Sequence, residues 1–316
     1  MKSLNYDNIG ICILAHNRLI HLKKTLKSVI KYKNKKDKIF IFLDIHSDKH
    51  STKKILLCKK VQNYLENIKS NKILVLKSKS NIGPKKNWYR AYGHMFKIYK
   101  KVIVLEDDIV IKKNFLNFMH YYLNKYEKNS KIMSITGYSS HVELPKNYNY
   151  DCYLSNRSMS WSKATWKRVW IKFKKINTNH KIIINNKKNL SLLAQAGEDL
   201  LRIIKLDYLK KVNSFQVWWI WNIIKNKGYC INPVKNLVNN IGFDGSGHHI
   251  FKKEKFSFNQ NNSLKKNKMN KLYYLETINF SFQKNFKMKL LSFLCFKYLH
   301  VNIINFLMKL KFSLNK

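Results

Sequence analysis

Short apolar runs alternate with helical patterns through the first half of the chain, and a polar or charged group follows each of the first four runs. Ile9–Leu14, Ile39–Leu43, Ile73–Leu76, Val102–Leu105 and Ile132–Ile135 have the length and composition of strands buried on both faces. Between the first two, Leu19, Leu22, Leu26 and Val29/Ile30 recur at helical spacing. Between the second and third, Ile55, Leu56, Val61, Leu65 and Ile68 do so less regularly. This alternation predicts an α/β chain with a parallel, doubly wound sheet. Ligands of such sheets bind beyond the carboxyl ends of the strands. The residues at those ends are Ala15-His16-Asn17-Arg18, then Asp44 with His46 and Asp48, then Asn81-Ile82-Gly83-Pro84, then Glu106-Asp107-Asp108. A structural scaffold does not need chemistry at four consecutive strand ends. No G-x-G-x-x-G follows the first strand and no G-x-x-x-x-G-K-[ST] occurs, which disfavours dinucleotide and P-loop readings.

Glu106-Asp107-Asp108 carries the most chemistry. Three acids directly after a buried strand repel one another, and a divalent cation removes that cost. Hard oxygen ligands suit Mg²⁺ or Mn²⁺, which complete their shells with substrate phosphates. A solvated turn whose acids cap the next helix is the alternative for an isolated E-D-D. The strand-end position, in a chain with only 17 acids, favours the metal.

The run Val-Ile-Val-Leu-Glu-Asp-Asp-Ile at 102–109 resembles the D-x-D-type motif of GT-A glycosyltransferases. In particular it resembles the branch of N-acetylglucosaminyltransferase I and its bacterial family 2-like relatives. Other segments fit in the right order. Ile13-Leu14-Ala15-His16-Asn17-Arg18 is similar to the first-strand Y-N-R motif, Phe42-Leu43-Asp44 to the second-strand Asp, and Asn81-Ile82-Gly83 to the N-x-G before the long helix. Ser160-Trp161-Ser162-Lys163-Ala164-Thr165-Trp166 resembles the S-W-G-W-A-T-W block of the bacterial sugar transferases. Asn240-Ile241-Gly242-Phe243-Asp244-Gly245-Ser246-Gly247-His248-His249 is close to their N-I-G-F-D-G-S-G-T-H ending. The last two blocks are the most specific, and the match covers roughly residues 8–250.

The resemblance implies a GT-A fold, a Rossmann-like and mostly parallel sheet flanked by helices, over residues 1–250. It implies a metal-dependent inverting transfer from a nucleotide sugar, a UDP-sugar by likeness to that branch, to a surface glycan or a lipid-linked acceptor. Asp108 is then the metal ligand, with Asp107 and Glu106 supporting it or touching ribose. Arg18, Asp44 and Asn81 fall on the nucleotide-sugar side, and His249 lies over the diphosphate or completes the metal shell. An inverting transfer also needs a carboxylate base near the acceptor hydroxyl. Here the sequence departs from the pattern: the relatives' D-S-W-A-I-R-W is matched by Asn213-Ser214-Phe215-Gln216-Val217-Trp218-Trp219, and an amide cannot accept the proton. Either a nearby acid substitutes, Asp199 first and Glu198 second, or the chain is impaired as a catalyst.

Trp166, Trp170, Trp218, Trp219 and Trp221 read as core. Trp161, among small polar residues, is balanced between core and a sugar platform. His16, His46 and His248 read as solvated loop residues. Gly242, Gly245 and Gly247 fit a loop ordered by nucleotide almost as well as an ordinary tight turn.

The formal net charge of +45 raises a nucleic-acid or membrane-surface partner. Of 62 basic residues only five are Arg, and the abundant Lys, Asn, Ile, Phe and Tyr all have AT-rich codons. Scarcity of the residue suited to bidentate phosphate and base contacts argues against a specific nucleic-acid partner. The five cysteines include no C-x-x-C pair, so neither a zinc site nor a disulfide framework is indicated. No signal peptide or spanning segment is read, which predicts a cytoplasmic protein. Residues 251–316 hold 14 Lys, no Arg and two acids. Residues 251–275 read as a basic linker, and 276–316 as an amphipathic helical tail suited to the anionic inner face of the cytoplasmic membrane. The rival from another class is a catalytically impaired protein of the same fold that binds membranes or polyanions.

Overall fold

Apolar runs of five to seven residues, rich in Ile, Val, Leu and Phe, cannot present one face to water, so they stack side by side under helices. The computed structural model describes residues 9–139, 148, 150–246 and 273–274. The first half runs β1 (Ile9–Ala15), α1 (Leu19–Tyr32), β2 (Ile39–Leu43), α2 (Thr52–Glu66), β3 (Ile73–Lys77), α3 (Gly83–Ile98), β4 (Lys101–Glu106), β5 (Ile109–Ile111), α4 (Phe115–Lys125) and β6 (Ile132–Thr136). All five predicted strands and both predicted helices are present. The second half adds β7 (Cys152–Ser155), β8 (Ser162–Trp166), α5 (Lys167–Lys174), α6 (Lys181–Ile184), α7 (Lys187–Gln195), α8 (Asp199–Tyr208), α9 (Phe215–Lys225), β9 (Tyr229–Pro233), β10 (Val238–Asn240) and β11 (Tyr273–Tyr274).

Nine strands form one mixed, mostly parallel sheet in the order β11-β7-β9-β6-β8-β4-β1-β2-β3. β1 to β4 are mutually parallel where they pair; β8 runs antiparallel to both β4 and β6. The expected fold class, an α/β sheet flanked by helices, is the one observed. β5 and β10 form a separate antiparallel pair.

Register explains why the strand ends make a site. Leu43 pairs with both Ala15 and Lys77, and Leu14 pairs with Glu106, so β1 to β4 finish almost level. His16, Asp44, Ser78 and Asp107 therefore step off the sheet along one edge.

Helices α3 and α9 seal the core with aromatic rings. Trp88 stacks on Phe215 at 5.2 Å and Tyr92 on Trp219 at 5.3 Å. Trp166, Trp170, Trp218, Trp219 and Trp221 are all buried, as their core reading expects.

The linker expected at 251–275 contains Tyr273–Tyr274, which adds a short parallel strand beside β7. The rest of 251–316 lies outside the described residues, as do His248 and His249. Among the described residues, no helix is long and apolar enough to cross a membrane.

Candidate active site

The acids of 106–108 gather around one guanidinium. Arg18, just before α1, donates through Nη1 to Asp108 Oδ2 at 2.8 Å and through Nη2 to Asp107 Oδ1. Thr25 Oγ1 donates to the Asp107 carbonyl at 2.8 Å, fixing α1 against this turn. Both aspartates are buried. Burial and neighbouring Asp108 push Asp107 up to about 6 against the pull of Arg18. Burial, with Asp108 and Asp107 beside it, pushes Glu106 up to about 8. Asp108 Oδ1 is buried with no hydrogen-bond partner among the described residues. A carboxylate oxygen so placed, inside a cluster of like charge, is what a divalent cation's oxygen shell requires, so the residues present fit Mg²⁺ or Mn²⁺.

The glycine-rich block packs against these acids. β10 pairs with β5, and Ile241 N donates to the Asp108 carbonyl at 2.9 Å. A side chain on Gly242 would overlap Asp108 Oδ2 and stand 2.9 Å from Arg18 Nη1, so only glycine lets the loop pass this close. Gly245 adopts φ +86, a conformation glycine takes at no cost, so tight-turn geometry is present here as well. His21 pins the block through the Ile241 carbonyl and Asp244 Oδ2, each 3.1 Å from Nε2.

Asp44 is buried, and its two oxygens take four donors. Oδ1 accepts from Ser78 Oγ (3.1 Å) and Ile82 N (2.9 Å); Oδ2 accepts from Asn81 Nδ2 (3.2 Å) and Gly83 N (2.9 Å). The start of α3 has no side-chain cap of its own, and Asp44 supplies one from the neighbouring strand end. Asn81 also donates to the Ile45 carbonyl at 2.7 Å. Asp44 and Asn81 thus tie the end of β2 to the start of α3 and hold each other.

Between the acids and α9 lies a group that the sequence reading did not single out. Lys163, on β8, is fully buried. It donates to Gln216 Oε1, and Gln216 in turn donates to the Ser158 carbonyl. The ammonium lies 4.8 Å from the Trp88 ring centroid and 5.1 Å from that of Phe215. Burial pulls Lys163 down to about 7, against the attraction of Glu106. No sequence signal marks it beyond its standing where the resembling block has a tryptophan.

These shifts give the acid cluster its own pH response in the metal-free protein. Carboxylates raised in the folded state stabilise it below their unfolded values and lose that contribution as pH rises through about 6 for Asp107 and about 8 for Glu106. Lys163, lowered to about 7, works in the opposite sense above that pH. Burial holds His120 down to about 4 and lowers His16 as well, so these imidazoles gain stability as pH rises toward their ordinary range and offset the acid cluster there. Comparison with Glu106→Gln isolates the cluster: the wild-type midpoint in denaturant with EDTA, relative to the variant's, should fall from pH 5 to 7. A relative midpoint that rises over that range would contradict the charge arrangement.

Asp199 begins α8, half-exposed, and both its oxygens meet Arg157: Oδ1 at 2.5 Å and Oδ2 at 2.8 Å. Glu198 precedes it at the helix N-cap position. Asn213 is exposed. The neighbouring Ser214 N–H donates to Asp207 Oδ1 at 2.8 Å. Asp207, another residue that the sequence reading did not single out, also binds His180 Nε2 (2.8 Å) and Trp218 Nε1 (2.9 Å). These donors hold its carboxyl below the ordinary range despite burial.

Trp161 is half-buried, its ring 3.8 Å from that of Tyr138 and 5.4 Å from that of Phe243. His16 is not a solvated loop residue: it is half-buried, with Nδ1 2.8 Å from the Asp44 carbonyl.

No curated protein matches the sequence. Similar solved structures include GalNAc-T7 with UDP, GalNAc and Mn²⁺, at 12% identity over 72% of this chain and 42% of that one, with a TM-score of 0.48. TarS 1–349 of S. aureus with UDP-GlcNAc shows 11% identity over 73% and 57%, with a TM-score of 0.42. Mannosyltransferase PcManGT of Pyrobaculum calidifontis with GDP-Man and Mn²⁺ shows 8% identity over 69% of each, with a TM-score of 0.39. The chain spans less than half of the first of these and a little over half of the second. Residues 2–144 match the GNT-I family. Over that part, which carries the four strand ends, the likeness to GT-A glycosyltransferases of the N-acetylglucosaminyltransferase I branch is shown.

Proposed function

We propose that the chain transfers a sugar from a nucleotide sugar, a UDP-sugar, to a surface glycan or lipid-linked acceptor, with inversion and with Mn²⁺ or Mg²⁺. The observation that carries this reading is the buried, unpartnered Asp108 Oδ1 inside the cluster of acids at the end of β4. Asp108 holds the metal in this reading, and His249 is assigned to its shell or to the diphosphate. Bound there, the metal supplies charge stabilisation to the leaving nucleoside diphosphate. Arg18, which bridges Asp107 and Asp108, is placed to pass from the carboxylates to the diphosphate. Asp44 and Asn81 keep the rim of the nucleotide pocket in place. Trp161, with Tyr138 and Phe243, offers an aromatic wall to the sugar.

Asp199 is the assigned base, its carboxylate held by Arg157 and half open to an acceptor, with Glu198 beside it. A second reading rests on His180, whose Nε2 faces Asp207: this orients an imidazole next to the Asn213 position.

A thermal-shift screen of UDP-, GDP-, CMP- and dTDP-sugars with and without Mn²⁺ tests the proposal, followed by donor hydrolysis. A Mn²⁺-dependent shift with one UDP-sugar, and hydrolysis of it, is expected. No shift with any donor would favour the impaired, polyanion-binding alternative.

The basic tail places the enzyme on the inner face of the cytoplasmic membrane in this proposal. From Thr277 onward there are seven Lys and no acid. Each Lys near an anionic surface contributes about 1 kcal/mol. Removing residues 277–316 should release the protein from anionic liposomes in a sedimentation assay while sparing donor hydrolysis. Equally tight liposome binding by the truncated protein would overturn the membrane assignment.

A further inference from the structure

Three side chains far apart in sequence meet beside the end of β2, on residues that the catalytic reading does not use. His16 follows β1, His50 lies in the loop before α2, and Cys58 is on the buried side of α2. One ligand atom from each lies within 4.8 Å of those of the other two. His16 Nε2 is 3.7 Å from Cys58 Sγ. The His16 and His50 rings meet edge to face with centroids 5.7 Å apart.

A second observation concerns which ring nitrogen is available. A carbonyl only accepts, so the 2.8 Å bond between His16 Nδ1 and the Asp44 carbonyl puts the proton on Nδ1. Nε2 then carries the lone pair, and Cys58 Sγ stands beside the ring, 3.7 Å from Nε2 and 3.9 Å from Nδ1. This is the tautomer, and the outer bond, that orients a metal-ligating histidine. His50 Nδ1 takes only a long bond, 3.3 Å, from Ser47 N. In the same loop His46 Nδ1 is buried with no hydrogen-bond partner among the described residues, and its ring is within electrostatic reach of His50.

We propose that His16, His50 and Cys58 bind a zinc ion that staples the β2–α2 loop to α2. Two imidazoles and a thiolate form a soft donor set that selects zinc, unlike the all-oxygen acids at 106–108, which suit Mg²⁺ or Mn²⁺. Tetrahedral zinc with bonds of about 2.0–2.3 Å sets neighbouring ligand atoms roughly 3.3–3.8 Å apart. The His16 Nε2–Cys58 Sγ distance of 3.7 Å already has that value; the thiol turns from the side of the ring toward Nε2, and the remaining spacings, within 4.8 Å, close by about 1 Å. On binding, the Cys58 thiol gives its proton to solvent and the sulfur forms the metal bond. The ion would fix the backbone of Asp44, whose carbonyl holds His16 and whose carboxylate caps α3. The proposal stands independently of the transferase reading.

The test uses the full chain, purified without a metal-affinity tag and dialysed against metal-free buffer. Zinc content is measured, and Co²⁺ is titrated while the thiolate-to-cobalt charge-transfer absorption is followed. About one zinc per chain and a thiolate–cobalt band are expected. Cys58→Ser and His50→Ala should each lose both signals with unchanged circular dichroism, whereas Asp108→Asn should keep them. Should Cys58→Ser fail to fold, His50→Ala, at a half-buried loop position, decides the matter. Wild-type protein without zinc or the cobalt band overturns the site, and so does either signal surviving intact in a folded Cys58→Ser or His50→Ala variant.

Discussion

Asp108→Asn should abolish Mn²⁺-dependent nucleotide binding and donor turnover while leaving the fold intact. The carboxylate has one oxygen on Arg18 and the other buried without a partner, so its free oxygen is the group offered to a cation. Replacing an anionic ligand by an amide removes several kcal/mol of leaving-group stabilisation, a fall of about three orders of magnitude in turnover. Stability should hold, because Arg18 keeps Asp107 and one charge leaves a cluster of like charges. Isothermal titration with Mn²⁺ and nucleotide, beside an unfolding curve, checks both halves. Unchanged nucleotide affinity in the variant would remove Asp108 from the site.

Asp199→Asn should lower kcat by roughly 10²–10⁴-fold, the usual range for removing a general base, with donor affinity barely changed. The structure adds a complication that must be separated out. Arg157 is largely buried and pairs with Asp199 through both oxygens, so the variant also removes the carboxylate charge from that guanidinium and costs stability. Arg157→Gln breaks the same pair while retaining the carboxylate. Loss of turnover in Asp199→Asn beyond that in Arg157→Gln, at matched fraction folded, assigns the base. Restoring an acid with Asn213→Asp should raise activity if the exposed amide is what limits the site. Wild-type kcat in Asp199→Asn would move the role to Glu198 or to His180 with Asp207.

Local sequence determined the first half of the fold. Strands covered by helices need runs rich in Ile, Val, Leu and Phe, and such runs mark β1, β2, β3, β4 and β6; β3 departs from the expected burial, because it ends the sheet and leaves Leu74 exposed. The strand-end acids and Arg18 were legible for the same reason: a parallel sheet delivers the residues after its strands to one edge, whatever their sequence separation. In the second half the pattern fails. β8 reads Ser-Lys-Ala-Thr-Trp, yet every residue in it is buried, because Thr165 finds the Met133 carbonyl at 2.8 Å and Lys163 finds Gln216 among aromatic rings. A polar residue whose partner lies dozens of positions away carries no periodicity to detect.

What the sequence by itself determined is the class of sheet, its functional edge and the acids that gather there. It could not show that Asp44 spends its oxygens on the start of α3, or that Asp199 is tied to Arg157. It also gave no sign that His16, His50 and Cys58, lacking any recognised ligand spacing, come within reach of one another. Those facts depend on which helix packs beside which strand end, and that is settled by burial summed over the whole core rather than by any local run. Periodicity records what each segment must bury, whereas contacts between polar side chains are set only after the segments have docked.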